Sequence, residues 1–364
     1  MRENNFTIFS GGTGGHVIPA IIFGNYLIKE GYKCSLFLDK RGMRYSKNFY
    51  GKIIQINSGH FSGNIFFKIN SIFLLISGFI KSLYHLVLLK PSYCVAFGSY
   101  ATSTPLLASI ILKIFYPIKI FLHEQNSVIG KVNLFFEPFS KNVFLNYKEV
   151  ININKINNKK IFHVGLPTNQ IGQFNRDTIF INKQKIQILV YGGSQSSRNL
   201  NRGFLKIIQR IPVIHRKNLY LIIQASDKYK HEIIEYLRDL DINFETKTFF
   251  DNFETILSSS DLVISRSGAG TINDIIKFQI PSIIVPLPNS IFDHQFYNAK
   301  FLYDKEASKI INENDLGSDK AYLEFEDLLI NDSTREKMIK NLKNIKVFNA
   351  NNLMKNKIIN DERN

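Results

Sequence analysis

Three times along this chain a short apolar run ends in a cluster of small residues and passes directly into a helical pattern. Residues 5–10 run into Gly11-Gly12-Thr13-Gly14-Gly15-His16, and residues 186–191 into Gly192-Gly193-Ser194-Gln195. Residues 262–265 run into Arg266-Ser267-Gly268-Ala269-Gly270-Thr271. A strand that turns tightly into a helix does not form a hairpin with the next strand. That next strand comes back parallel, and a parallel sheet needs helices on both faces. The rest of the chain follows the same alternation. Strand signals at 34–38, 53–56, 93–97, 119–123 and 142–145 are interleaved with helical stretches at 17–29, 65–89 and 101–115. A polar run at 152–160 and a short strand at 162–166 follow, with Gly165-Leu166-Pro167 as a candidate hinge. The pattern then restarts at 185, with strands at 186–191, 219–224, 245–250, 262–265 and 282–286. The predicted fold class is α/β: two Rossmann-like, doubly wound domains with parallel sheets. The expected domains are 1–163 and 164–340, with 341–364 a helical segment able to pack back on the first. A length of 364 residues suits two domains.

Composition narrows the function. Two cysteines exclude a disulfide framework and a cysteine-rich zinc site. The formal charge is +16, and it is uneven: through Gly165 there are 19 basic and 6 acidic residues. The front half therefore favours anionic partners, with a simple compositional bias as the other reading. No DNA- or RNA-binding motif accompanies the charge, so no nucleic-acid partner is expected. No signal peptide is visible.

Residues 65–89 form the longest apolar region. Lys68, Asn70, Lys81 and His85 interrupt it, and the uncharged stretch 69–80 is short of the ~20 residues of a spanning helix, so a transmembrane segment is not expected. Ile72, Phe73, Ile76, Ile80, Leu83 and Val87 share one helical face, while Leu74, Leu75, Phe79 and Leu86 lie elsewhere. A helix apolar on more than one side either lies wholly in a core or packs one side inward and lays another on a bilayer surface. For the second case the expected membrane contacts are Ile72, Phe79, Leu83 and Leu86, with Lys68 and Lys81 meeting acidic headgroups.

The first glycine loop is neither a P-loop nor a dinucleotide fingerprint: no Gly-Lys-Ser/Thr follows it, and Val17 stands where the third fingerprint glycine belongs. It suits an anionic group at a helix N-terminus, or simply a tight turn. His16 opens that helix. The positive helix end disfavours imidazolium, leaving the neutral form that a general base requires. A helix-start histidine bonded to a nearby carbonyl is the alternative. Ser194 and Arg198 read either as phosphate contacts or as a cap and an exposed charge. Asp274 reads as a ribose-binding carboxylate or a solvated first-turn acid. His123-Glu124-Gln125-Asn126 and Asp293-His294-Gln295, with Asn298, are polar clusters at the ends of apolar runs, where doubly wound folds place ligands. No trusted metal-ligand pattern and no Gly-x-Ser-x-Gly elbow is present.

Taken in order, these loops, together with Phe97-Gly98-Ser99-Tyr100 and Asn298-Ala299, resemble the MurG family of UDP-N-acetylglucosamine:lipid I transferases. The resemblance runs from about residue 6 to about residue 299. It implies a GT-B fold, with two Rossmann-like domains facing across a cleft. The implied reaction is inverting transfer of N-acetylglucosamine from UDP-GlcNAc to the MurNAc 4-hydroxyl of lipid I, giving lipid II and UDP, with no metal and no cofactor. By the same resemblance the donor contacts are Thr13, Gly14, Gly15, Asn126, Asn169, Ser194, Phe250, Ala269, Gly270, Thr271, Asp274, His294 and Gln295. The acceptor diphosphate meets Gly14, Gly15, Gly98, Ser99 and Tyr100, and His16 is the catalytic base. The implied location is the cytoplasmic face of the bacterial inner membrane. The association is peripheral, through anionic phospholipids, with other cell-wall enzymes as a further class of partner.

Three positions depart from the family pattern. Asn169 stands where an arginine normally approaches the donor diphosphate, with Arg198 the expected substitute. Asp274 replaces a glutamate, and Ser99 replaces a glycine. They keep two alternatives open: another GT-B glycolipid transferase, or a catalytically weakened scaffold that binds lipid I.

Overall fold

The computed structural model describes residues 5–59, 65–169, 174, 176, 185–193 and 198–360, with side chains at 65–68 left aside. The chain divides into two compact units, Met1–Ile171 with Phe348–Asn364, and Gly172–Val347.

In the first unit the strands are β1 (Phe6–Phe9), β2 (Cys34–Asp39), β3 (Lys52–Ile56), β4 (Tyr93–Ala96), β5 (Lys119–Glu124), β6 (Asn142–Leu145) and β7 (Ile161–His163). They form one parallel sheet in the order β3-β2-β1-β4-β5-β6-β7. The helices are α1 (Gly14–Lys29), α2 (Ile65–Leu89), α3 (Ser103–Leu112) and α4 (Lys131–Phe136). Fully buried strands explain the near-continuous apolar runs: every residue of β1, β2 and β4 is buried.

The second unit contains β8 (Ile186–Tyr191), β9 (Leu219–Gln224), β10 (Asn243–Lys247), β11 (Leu262–Ser265), β12 (Ser282–Ile284) and β13 (Lys309–Ile310). These too are all parallel, in the order β10-β9-β8-β11-β12-β13. Its helices are α5 (Arg198–Arg210), α6 (Val213–Arg216), α7 (Asp227–Arg238), α8 (Phe253–Ser259), α9 (Ala269–Phe278), α10 (His294–Tyr303), α11 (Asp319–Ile330) and α12 (Asp332–Lys343). Its core joins Ile188, Val190, Leu221, Ile223 and Ile264 to Phe204, Phe325 and Met338 from the helices.

The last helix, α13 (Ala350–Asn360), belongs to the first unit. Met354 and Ile358 are fully buried in the cluster that holds Phe6, Ile8, Phe23 and Leu27. Lys355 pairs with Glu30 at 2.7 Å. The first unit extends to residue 171, beyond 163, and the chain returns to it at 348, not at 341. Val164 and Gly165 both donate to Leu145 O, at 3.0 and 3.1 Å, which keeps the candidate hinge on the first sheet.

Each sheet reverses its strand order once, between β1 and β4 and between β8 and β11. Ligands of doubly wound folds bind outside the carboxyl ends of the strands at such a point. The three glycine-rich turns follow β1, β8 and β11, and Phe97-Gly98-Ser99-Tyr100 follows β4.

Candidate active site

The first glycine loop is held by a residue from the next strand. The Gly12 and Gly42 N–H groups both donate to Asp39 Oδ1 at 2.8 Å, and Arg41 pairs with the second Asp39 oxygen at 3.2 Å. A Cβ on Gly11 would stand 2.4 Å from Ala101 Cβ, so only glycine lets this loop pass the turn after β4. Helix α1 starts inside the loop, at Gly14, with Thr13 at the N-cap. Gly14 and Gly15 N–H have no partner among the described residues, which leaves two donors open at the positive helix end. Thr13 and Gly15 are exposed and Gly14 is buried.

Half-buried His16 is the third residue of α1, and its own N–H bonds Thr13 O at 3.2 Å. Its Nδ1 lies 2.6 Å from Gln125 Oε1. The carbonyl-bonded alternative from sequence thus takes a different form: the partner is a side-chain amide 109 residues away. Gly98, at φ +67°, lies against the imidazole ring.

Ser99 has φ 75°, in the region that favours glycine. Its Oγ accepts from Ala101 N–H at 3.5 Å, and its carbonyl accepts from Thr102 Oγ1 at 2.9 Å. A serine there carries about 1–3 kcal/mol of backbone strain. Ser99→Gly is expected to raise unfolding stability by about 1 kcal/mol, after the extra entropy glycine gains in the unfolded chain. A higher urea midpoint at unchanged m-value is the readout, and no change would mean that the hydroxyl contacts offset the strain. Tyr100 follows, partly exposed.

At the end of β5 the polar cluster separates into two jobs. Buried Glu124 organises the loop: it accepts from Asn126 N–H, Asn126 Nδ2, Gly130 N–H and Asn133 Nδ2, at 2.9–3.3 Å. Asn126 is half-buried above it. Gln125 and His123 connect instead to His16. From sequence these two are only members of a polar cluster, because their partners lie far away along the chain.

In the second unit, α9 is capped by Gly268, and buried Asn298 donates to Ser267 O at 3.0 Å, pinning the turn before it. Ala269 and Thr271 are buried and Gly270 is half-buried. Arg266 is buried and pairs with Glu313, while also donating to Val285 O and Pro286 O at 3.2 Å. That fixes the end of β11 below the turn. Asp274 is half-buried one turn into α9. Burial pushes its carboxyl up to about 7; Lys277 opposes this and Glu254 adds to it. Lys277 is itself paired with Glu254 at 3.0 Å. Gln295 Oε1 accepts from Leu287 N–H at 2.9 Å, and its amide hydrogens have no partner among the described residues. His294 Nδ1 lies 2.9 Å from Ile291 O.

Several expectations are corrected. Leu86 is 1% exposed, so it is core and not a membrane contact. Phe79 and Leu83 are half-buried, whereas Ile72 and Lys81 are exposed. Phe250 is buried, with one face of its ring against Phe253 at 5.8 Å. Arg198 pairs with Glu232 at 3.0 Å and stacks on Tyr229, which commits its charge within the second unit. Asn169 is exposed. Ser194 and the Lys68 side chain lie outside the described residues.

Helix α2 is continuous through Lys81 and is long and apolar enough over Ile69–Leu89 to cross a membrane by length and composition, contrary to the sequence expectation. It buries Ser71, Gly78, Ser82 and Leu86 on one side. A Cβ on Gly78 would stand 2.0 Å from Asn57 O, so small residues let this side approach the domain closely. The opposite side exposes Phe73 by 67%, Ile76 by 52% and Ile80 by 59%. Helix α3, packed beside it, adds exposed Leu107 and Ile111.

Two parallel, doubly wound units with small-residue turns at both switch points constitute the GT-B architecture of nucleotide-sugar transferases. The profile of the glycosyltransferase family 28 N-terminal domain matches residues 6–145, and that of the family 28 C-terminal domain matches residues 187–355. The chain belongs to glycosyltransferase family 28. Curated relatives include the UDP-N-acetylglucosamine--N-acetylmuramyl-(pentapeptide) pyrophosphoryl-undecaprenol N-acetylglucosamine transferases of Rickettsia canadensis and Rickettsia felis. Both are 33% identical to this chain, covering 92% of it and 93% of the relative. Among solved structures, MurG of Acinetobacter baumannii superposes with a TM-score of 0.77 at 22% identity, over 97% of this chain and 99% of that one. The UDP complex of S. aureus MnaA has a TM-score of 0.69 at 12% identity, over 99% and 97%. These two likenesses speak to the fold.

Proposed function

We infer that this chain is an N-acetylglucosaminyltransferase that moves GlcNAc from UDP-GlcNAc to lipid I, producing lipid II for peptidoglycan. The observation that carries this reading is the near full-length relation to transferases of that name. His16 at the first switch point supplies the chemistry. The 4-hydroxyl oxygen of MurNAc attacks the anomeric carbon of GlcNAc as its proton passes to His16 Nε2. The bond from that carbon to the diphosphate breaks, and UDP leaves with the electron pair. Attack from the face opposite the diphosphate inverts the anomeric centre. The open N–H groups of Gly14 and Gly15, with the turn at Gly98, Ser99 and Tyr100, receive the acceptor diphosphate. The Ala269–Thr271 backbone and Asp274 receive the nucleoside, with Gln295, His294 and Asn126 reading the sugar.

The test is UDP release from UDP-GlcNAc with a short-chain lipid I analogue. Acceptor-dependent turnover yielding a β-1,4-linked disaccharide, with none from UDP-GalNAc, is the expected result. A folded protein that binds lipid I without turnover would favour the scaffold reading, with Asn169→Arg the first restoration to make.

Asp274 makes donor binding pH-dependent. The ionised carboxylate accepts from both ribose hydroxyls, whereas the protonated acid offers one acceptor fewer. With its proton held to about 7, affinity for UDP-GlcNAc rises with pH, roughly tenfold between about pH 6 and 8. UDP-GlcNAc suits the calorimetric measurement because its diphosphate is doubly esterified and does not titrate in that range. Asp274→Asn should flatten the profile; a profile that keeps its slope in this variant would assign it to another group.

The exposed side of α2 lies on the cytoplasmic membrane leaflet. Its protein-facing side is lined with small residues, so lipid meets one side of the helix only, as for an interfacial rather than a spanning segment. Lys81 and the basic front half draw that surface to anionic phospholipids. Other cell-wall enzymes acting on the same lipid-linked substrate are the expected protein partners.

A further inference from the structure

His16 can act as a base only through the nitrogen that carries no proton, and three groups of the first unit decide which one that is. We propose that Gly165 O, His123 and Gln125 form a positioning relay that locks neutral His16 in the tautomer protonated at Nδ1, so that Nε2 presents its lone pair to the acceptor hydroxyl.

The relay starts at a backbone carbonyl, which only accepts. Gly165 O lies 3.0 Å from His123 Nε2, so that nitrogen bears a proton. His123 is fully buried, and burial pushes its imidazole down to about 4, with the Gly165 hydrogen bond opposing and His16 assisting. A neutral ring protonated at Nε2 has a lone pair at Nδ1. That lone pair faces Gln125 Nε2 at 3.1 Å, and the same amide nitrogen is 3.0 Å from His123 O. Two acceptors on one side of Gln125 fix its NH₂ there. A flipped amide would set its oxygen against both. Gln125 Oε1 therefore points to His16 Nδ1, 2.6 Å away, and an amide oxygen only accepts. His16 Nδ1 must donate, and among the described residues Nε2 has no hydrogen-bond partner.

The parts are rigid. Phe97 stacks on the His123 ring at 5.0 Å, Asn133 Nδ2 donates to His123 O at 3.3 Å, and Asn146 Nδ2 donates to Gln125 O at 2.8 Å. His123 and Gln125 are both buried, so water does not compete for these hydrogens. The partner of His16 is also uncharged. A carboxylate there would favour imidazolium before substrate arrives; an amide orients the ring without adding that bias.

The inference rests on His16 being the base, and its test separates the two ideas. Long-range ¹H–¹⁵N correlation spectra of the full chain with labelled histidine report the tautomer directly. The His16 signals are assigned by their loss in His16→Gln and read at a pH where they no longer move. The expected spectrum shows His16 protonated at Nδ1 and His123 at Nε2. Gln125→Met, which keeps length and removes all three side-chain hydrogen bonds, should give a mixed His16 tautomer and a kcat lower by about 10-fold or more. KM for UDP-GlcNAc should stay within about twofold. A wild-type His16 protonated at Nε2 would overturn the relay, and so would an unchanged tautomer in Gln125→Met. The wild-type spectrum needs no variant and stays decisive if Gln125→Met does not fold. If His16→Ala keeps its turnover while the spectrum is as expected, the base assignment fails and the relay stands.

Discussion

Replacing His16 with alanine is expected to lower kcat by about 10²–10⁴-fold, the usual contribution of a positioned general base. This is roughly 2.7–5.5 kcal/mol of transition-state stabilisation. The fold should survive, because the side chain is half-buried and the backbone bond from His16 N–H to Thr13 O remains. Thermal unfolding should therefore stay near that of the wild type. KM for UDP-GlcNAc should move little, since the nucleoside contacts proposed above, Ala269–Thr271 and Asp274, belong to the second unit. Initial rates across donor and acceptor concentrations separate these terms. Near-wild-type turnover in the alanine variant would remove His16 from the base role, leaving the open helix N-termini as the main contribution to catalysis.

The second large effect is on membrane binding. The double variant Ile76→Glu with Ile80→Glu places two charges in the middle of the exposed face of α2. Each isoleucine has about half of its surface left to bury, so the pair is worth roughly 1.5–3 kcal/mol of partitioning. Binding to vesicles containing anionic phospholipid should weaken by about 10- to 100-fold. Neither residue is in the core, so stability should hold. Leu86→Glu is the contrast: at 1% exposure it should unfold the domain rather than release it from lipid. Wild-type binding should also weaken with added salt, which screens Lys81 and its neighbours. A double variant that sediments with vesicles as the wild type does would dismiss this surface.

The alternation of strands and helices is legible in the chain because fully buried parallel strands leave apolar runs and each tight turn leaves glycine. Strand ends were less legible. The run at 245–250 reads as a strand, yet β10 covers Asn243–Lys247 and Phe250 packs under α8. Periodicity also failed on α2, where nearly every face is apolar. The discriminating signal was the small residues, Ser71, Gly78 and Ser82, which mark the side that approaches the protein. Within the site, residue type identified the polar clusters but not the division of labour inside them. Glu124 is consumed by its own loop, Gln125 reaches His16, and Arg198 is committed to Glu232. Each of the latter two contacts joins residues more than 30 apart in sequence. Asp39, which holds Gly12, gave no sign at all, because its role exists only once β2 lies beside β1.

The course of the chain has a consequence for its synthesis. The core that supports α1, and with it His16, includes Met354 and Ile358 from the last helix. The ribosome delivers those residues only after the entire second unit has been made. The second unit, Gly172–Val347, is continuous in sequence and needs no residue made after it. The first unit, although translated first, cannot close until α13 has emerged. Its apolar surface must wait for the final segment, and a nascent chain truncated before residue 350 would display the damage at its beginning.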